Sequence, residues 1–322
     1  MTIDDMHTDD MHTDDMYADD MYADDQRVMF DSAVVVALAE LSRHAPPTAL
    51  RSSTLAAALR RRPAGTPTAT PMTPVEAFRR AVDDLDVLLG ELEPQDWEAA
   101  APNGTVRSLI GHLGGVEQYM LSVVGQAEHP DPAHDTDHVR VTTASINAAD
   151  GEASDVVRNR WRQRADAVIA AGLARSMDET LPLHGLPVTT GGAFLLRTFE
   201  VWTHTEDICR ALGRRLMPPE ADRIELMSSS LCAVVVGGMH LAGVPRKSGR
   251  LTIRLTGSGG GTYSHTLGPD GSGPEVSIEA DVVDICRLAA RRIAPADLDA
   301  VIIGDADLAA DVLVGLCAFA MD

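Results

Sequence analysis

Apolar residues recur every three to four positions in four long stretches that begin at Thr73. The segment "TPVEAFRRAVDDLDVLLGEL" predicts an amphipathic helix, with Thr73 as N-cap, Pro74 in the first turn and Glu76 three residues after the cap. "TVRSLIGHLGGVEQYMLSVVG" predicts a second helix starting near Thr105, and "SDVVRNRWRQRADAVIAAGLA" a third. "GGAFLLRTFEVWTHTEDICRALG" predicts a fourth, with Gly213 closing it as a C-cap glycine. Four helices of this length joined by loops predict an antiparallel bundle. The stretch from Glu128 to Val141, rich in Asp and His, reads as a long loop on the surface or over a site.

After Pro218 and Pro219 the period changes. One more helix, "EADRIELMSSSLCAVVVGGMHLAG", is followed by the alternating strand "RLTIRLT", a "GSGGG" turn and a second strand "TYSHTL". "EVSIEA" and "DAVIIG" read as strands, "DVVDICRLAARR" as a helix capped by Asp281, and "DADLAADVLVGLCAFA" as a closing helix. The glycine run lies between strands and opens no helix, so it reads as a turn and not a phosphate loop. The expected fold is α+β. The expected division is residues 1–72 as an acidic repeat, short helices and a linker, 73–217 as a helical bundle, and 218–322 as a small α/β domain.

Composition alters this picture at the N-terminus. Residues 4–25 repeat a five-residue acidic unit with neither helical nor strand period, and predict disorder. Residues 31–62 carry two short helical patterns, and "PAGTPTATPMTP" then reads as a linker. The net charge of -21 includes ten Asp from the first 25 residues. What remains is still acidic, which disfavours nucleic acid and anionic membranes as partners. Aromatic residues make up only 4% of the chain, so its cores must rest on Ala, Val, Leu, Ile and Met. Cys209, Cys232, Cys286 and Cys317 are widely spaced with no C-x-x-C pair, which predicts reduced, mostly buried thiols in a cytoplasmic protein. No signal peptide is apparent, and the longest apolar stretch, Leu231 to Val244, is about 14 residues against the roughly 20 a membrane span needs.

The candidate chemistry lies in "RTFEVWTHTEDICRALG". At 100° per residue, Glu200, His204 and Asp207 fall within about 60° of one another, with Cys209 on the opposite side. The i, i+4 spacing lets a carboxylate and an imidazole reach one ion from adjacent turns. Leu196 and Ala211 on the same face suggest that it points inward. Polar helix faces often carry such pairs without a metal, and a site needs a third ligand from another helix. His112 is the best candidate. It sits among Leu109, Ile110, Leu113 and Val116, with Gly111, Gly114 and Gly115 around it. Each interior glycine costs roughly 1 kcal/mol relative to Ala, which points to close packing or room for a ligand. His112, Glu200 and His204 make a His2Glu set that leaves a fourth tetrahedral position open, as catalytic zinc requires. The remaining histidines have blander readings: His129, His134 and His138 in the loop, His240 in a core helix, His265 on a strand.

"TVRSLIGHLGGVEQY" and "RTFEVWTHTEDICRALGR" resemble the two signatures of the DinB-like, mycothiol-dependent maleylpyruvate isomerase family. "EVSIEADVVDICRLAARRIAPADL" and "IIGDADLAADVL" are similar to its sterol-carrier-like C-terminal domain. The resemblance runs from about Thr73 to the end. It implies a four-helix bundle and a divalent metal, usually zinc, with the family's ligand positions at His112, Glu200 and His204. Gly104 and Ser108 stand where the family often has Trp and Asp.

The resemblance also implies thiol chemistry on a small electrophile, with mycothiol as the thiol cosubstrate. Asp207 would orient a ligand imidazole. A carboxylate-bearing substrate would need a cation, for which Arg197, Arg246, Arg250 and Arg254 are candidates, Arg197 and Arg254 foremost. The expected partners are a small-molecule substrate and a low-molecular-weight thiol, and the expected assembly a monomer or homodimer. Two other readings compete: a metal-dependent lyase or cyclase on the same fold, and a small-molecule binding or resistance protein without turnover.

Overall fold

In the computed structural model of the chain, the described residues are 71–102, 104–125, 138–184, 186–215, 217–245, 248–268 and 271–319. The acidic repeat, the short helices expected over 31–62, and most of the linker and of the loop after Glu128 lie outside them.

The four expected helices form. They are α1 (Pro74–Gly90), α2 (Val106–Val124), α4 (Ser154–Leu173) and α5 (Thr190–Ala211). Thr73, Thr105 and Thr189 each accept a backbone N–H of the first turn and so start α1, α2 and α5. Gly213, with φ of +62°, follows α5 in the left-handed region that ends helices. The four pack α1 on α5 and α4, and α2 on α4. Phe78, Leu85, Ile110, Leu113, Trp161 and Phe194 fill the space between them. The pair α2 and α5 has the fewest close approaches among these helix contacts, and the candidate site lies there.

A further helix, α3 (His138–Ala149), begins inside the stretch that reads as a loop. Its buried stripe is Thr142, Ser145 and Ala149, so no large apolar residue marks its period. It packs on the glycine face of α2. A Cβ at Gly115 would lie 2.5 Å from Thr142 Cα, and one at Gly111 would lie 2.9 Å from Ile146 Cα. The glycines near His112 therefore serve close helix packing. Short hairpins, β1 (Ala100–Ala101) with β2 (Gly104–Thr105) and β3 (Thr180–Leu183) with β4 (Leu186–Thr189), lead into α2 and α5.

The C-terminal part has α6 (Ala221–Leu241), then β5 (Gly249–Thr256), β6 (Thr262–Leu267) and β7 (Glu275–Asp281). It ends with α7 (Val282–Ala289), β8 (Ala300–Gly304) and α8 (Ala306–Leu316). The strands form one mixed sheet in the order β6-β5-β7-β8, with only β5 and β7 parallel. Leu251, Ile253, Leu255, Val276 and Ile278 alternate onto one face and pack with α6, α7 and α8 in a second core. Asp281 caps α7 as its position suggests. Helix α6 is longer than the apolar run inside it. It is the one helix among the described residues long and apolar enough to cross a membrane, and half of its apolar window is buried inside this protein.

The tight α2–α3 contact yields a test. Gly115→Ala gains about 1 kcal/mol of helix propensity but forces a methyl group against the α3 backbone. The expected net result is a loss of about 1–3 kcal/mol, read from urea unfolding. A stabilised variant would contradict this packing.

Candidate metal centre

Helices α2 and α5 bring His112, Glu200 and His204 together. One ligand atom from each lies within 4.8 Å of the others. His112 Nε2 is 3.0 Å from Glu200 Oε1, and the two imidazoles meet edge to face with centroids 5.5 Å apart. Bonds of about 2.0–2.1 Å to a tetrahedral zinc would put ligand atoms ~3.4 Å apart, a spacing this cluster reaches with small side-chain movement. Two imidazoles and one carboxylate suit zinc or another borderline divalent cation. All three side chains are partly exposed, so the cluster has a path to solvent.

Both sides of the cluster are held by buried charge. Asp207 is 1% exposed and lies one turn after His204, its Oδ2 3.1 Å from His204 Nδ1. That contact leaves Nε2 as the atom free to face an ion, the arrangement expected of a ligand histidine. Arg292, which follows α7, donates to both Asp207 oxygens at 2.8 and 2.6 Å. Burial works against the Asp207 charge, but His204 and Arg292 outweigh it and keep its carboxyl below the usual range. On the other side Arg197 donates to Glu200 Oε2 and, at 2.6 Å, to Glu117 Oε1. Burial also opposes the Glu200 charge. The Arg197 charge and His112 overcome it and hold Glu200 well below the usual carboxylate range.

Three expectations need correction. Arg197 is 3% exposed and engages Glu117 and Glu200, so its fork is not available to clamp a substrate carboxylate. Arg254 lies on the solvent face of β5, more than half exposed, and pairs with Glu279 of β7. Nothing brings it to the cluster. Arg250 pairs likewise with Glu275, while Arg246 is outside the described residues. Leu196, taken as a sign of an inward face, is 45% exposed; the inward side is marked by Arg197 and Asp207 instead. Cys209 is buried, and it lines a separate cavity of about 590 Å³ with Glu206, Arg210, Arg214 and the start of α7. His240 and His265 are half-buried in the C-terminal part.

The sequence reading missed Glu117, Arg292 and a ring cluster. Glu117 carried a signal, since it is an acid inside the apolar face of α2. Arg292 carried none, because its partner is 85 residues away. The ring cluster joins Tyr119 of α2, His138 of α3 and His184 of the β3–β4 turn. His184 stacks on Tyr119 with centroids 4.8 Å apart and meets His138 edge-on at 4.4 Å. Its backbone N–H donates to the Tyr119 hydroxyl at 2.6 Å, and its φ is +52°, a left-handed conformation that His tolerates better than most residues. Tyr119 is seven residues after His112, hence on the same face of α2 and about 10 Å along it.

His184 generates a pH prediction. Burial pulls its pKa down to about 4, helped by His138 and opposed by Glu200. In the unfolded chain the value returns to the ordinary 6.5. Between these limits the unfolded chain binds a proton that the folded chain refuses. Stability is therefore full above pH 6.5 and falls as the pH drops toward 4, by at most about 3 kcal/mol. His184→Asn, which accepts the same backbone conformation, should flatten that slope in melting temperatures taken across this range. An unchanged slope would locate the dependence elsewhere.

Residues 78–209, from within α1 to the last turn of α5, match the family model described as the mycothiol maleylpyruvate isomerase N-terminal domain. Among solved structures, a mycothiol-dependent maleylpyruvate isomerase is similar with a TM-score of 0.50 and 16% identity, over 70% of this chain and 91% of that one. A mutant of that isomerase aligns at a TM-score of 0.49 with the same identity and coverage. No curated protein matches the chain. At 16% identity the structural likeness is one of fold. The family match is one of sequence, and its span includes His112, Glu200 and His204 together with Glu117, Arg197 and Asp207. Over residues 78–209 the chain is thus similar in sequence to the mycothiol maleylpyruvate isomerase N-terminal domain family.

Proposed function

We propose that this protein is a metal-dependent enzyme that uses a low-molecular-weight thiol, mycothiol by family, to isomerise a small electrophile with a conjugated cis double bond. The observation that carries the reading is the meeting of His112, Glu200 and His204 from two helices, with ligand atoms within 4.8 Å. The family match adds the thiol and the isomerase class. In this reading residues 73–217 are the catalytic unit and 218–322 a C-terminal unit that braces it, in a cytoplasmic protein.

A zinc ion bound by the three side chains would lower the pKa of a thiol and leave one position open to it. The chain's own residues supply the rest. Asp207 fixes the tautomer and ring plane of His204, and Arg292 fixes Asp207. Arg197 keeps Glu200 ionised. Tyr119, His138 and His184 form a wall further along the same face of α2. The reaction itself is an addition followed by an elimination. Thiolate sulfur bonds to one alkene carbon while the π pair moves onto the conjugated carbonyl oxygen. The former double bond rotates as a single bond. The pair then returns, the double bond re-forms as trans, and the C–S bond breaks. No proton or electron is consumed overall.

The test pairs metal analysis with turnover. Purified wild-type protein should carry about one equivalent of zinc, while His112→Ala should lose it along with thiol-dependent cis–trans isomerisation of maleylpyruvate. Zinc retained in the variant would mean the site lies elsewhere. Zinc binding without thiol-dependent turnover would favour a lyase, cyclase or binding protein on the same scaffold.

A further inference from the structure

We infer that Glu117, acting through Arg197, is a positioning residue that holds Glu200 in a one-oxygen mode toward the cation. This rests on the metal reading above and adds to it an outer pair of residues that ligand spacing alone does not reveal.

The two oxygens of Glu200 have different neighbours. Oε2 accepts from Arg197 Nη1, whereas Oε1 stands 3.0 Å from His112 Nε2, inside the ligand cluster. A carboxylate with one oxygen committed to a guanidinium presents the other alone. Arg197 can do this because its fork is anchored behind, with Nη2 donating to Glu117 Oε1 at 2.6 Å. Glu117 lies on α2, five residues after His112, and Arg197 on α5, three residues before Glu200. The couple therefore spans the same two helices as the metal ligands and fixes their spacing beside the site.

Stability alone is a poor reason for this pair. Glu117 is 0% and Arg197 3% exposed, and the desolvation of such a pair commonly cancels its attraction. Glu117 Oε2 and Arg197 Nε are moreover buried without a hydrogen-bond partner. Buried polar atoms left incomplete call for a reason, and orientation of Glu200 provides one. A lysine would not replace Arg197, since one ammonium cannot present two fixed N–H directions to carboxylates on opposite sides.

The test uses Arg197→Lys and Glu117→Gln in the full chain, stripped of metal and titrated with zinc against a chelator. Melting temperature and far-ultraviolet circular dichroism of the metal-free forms report folding separately. Both variants should weaken zinc about 10- to 100-fold. With Co(II) in place of zinc, Arg197→Lys should also change the visible bands, because the released Oε2 can enter the coordination sphere. A purely structural role would lower the melting temperature and leave zinc affinity and the Co(II) spectrum unchanged, and that result would overturn the inference. If a single variant does not fold, Glu117→Gln combined with Arg197→Gln removes both charges together. Weakened zinc binding by that double variant supports the inference, and wild-type affinity overturns it. Wild-type protein that takes up no zinc would sink the metal reading itself, so the two failures are distinct.

Discussion

The constraint on which this structure turns is the burial of carboxylates between helices in a chain with an acidic surplus. Glu117, Glu206 and Asp207 are all nearly inaccessible to water. A carboxylate can leave water only where cations and hydrogen-bond donors replace it. An arginine meets one oxygen of Glu117 and of Glu206 and both oxygens of Asp207: Arg197 at Glu117, Arg287 at Glu206, and Arg292 at Asp207. The arrangement of α2, α5 and the C-terminal part is in large measure the geometry that keeps these charges matched, and the ligand cluster lies where two of the pairs meet.

The same charges join the two cores. Arg292 and Arg287 reach from α7 and its end to Asp207 and Glu206 of α5, while Arg80 of α1 reaches Glu220 and Arg223 of α6 reaches Asp84. A small apolar cluster of Trp202, Met227 and Cys286 sits among them and ties α5, α6 and α7 together. An apolar contact is tolerant of sliding, whereas a bidentate arginine is not. Asp207 is held by such a fork on one side and faces His204 on the other, so a shift of the C-terminal part would be felt at the imidazole. The C-terminal part thus bears mechanically on the His112, Glu200 and His204 cluster through Arg292 and Asp207.

Much of this was legible in the sequence, for definite reasons. Helices α1, α2, α4 and α5 announce themselves through apolar period, with a threonine at the start of α1 and α2, and the strands after Gly249 through alternation. His112, Glu200 and His204 could be joined because two lie on one helix face and the third is a lone histidine in an apolar helix. What stayed hidden depends on contacts distant in sequence or on small residues. Helix α3 buries Thr142, Ser145 and Ala149, which leave no hydrophobic period to read. Arg197 and Arg254 looked alike as spare cations. Only the fold shows that one is locked between two glutamates and the other faces solvent across the sheet.

Helix α2 unites these threads because it works on more than one face. Gly111 and Gly115 let the α3 backbone approach so closely that no side chain fits between them. Neither residue could be there for helix propensity, which both lower. With α3 seated against the glycines, α2 has little room to roll or slide. His112 and Glu117 then project toward α5 from a fixed rod, one to the ligand cluster and the other to Arg197 behind it. Tyr119 continues that side of the helix toward His138 and His184. The glycine cost in α2 is thus offset by rigidity where His112 must be held against Glu200 and His204. That explains why the helix richest in glycine also carries the histidine on which the cluster depends.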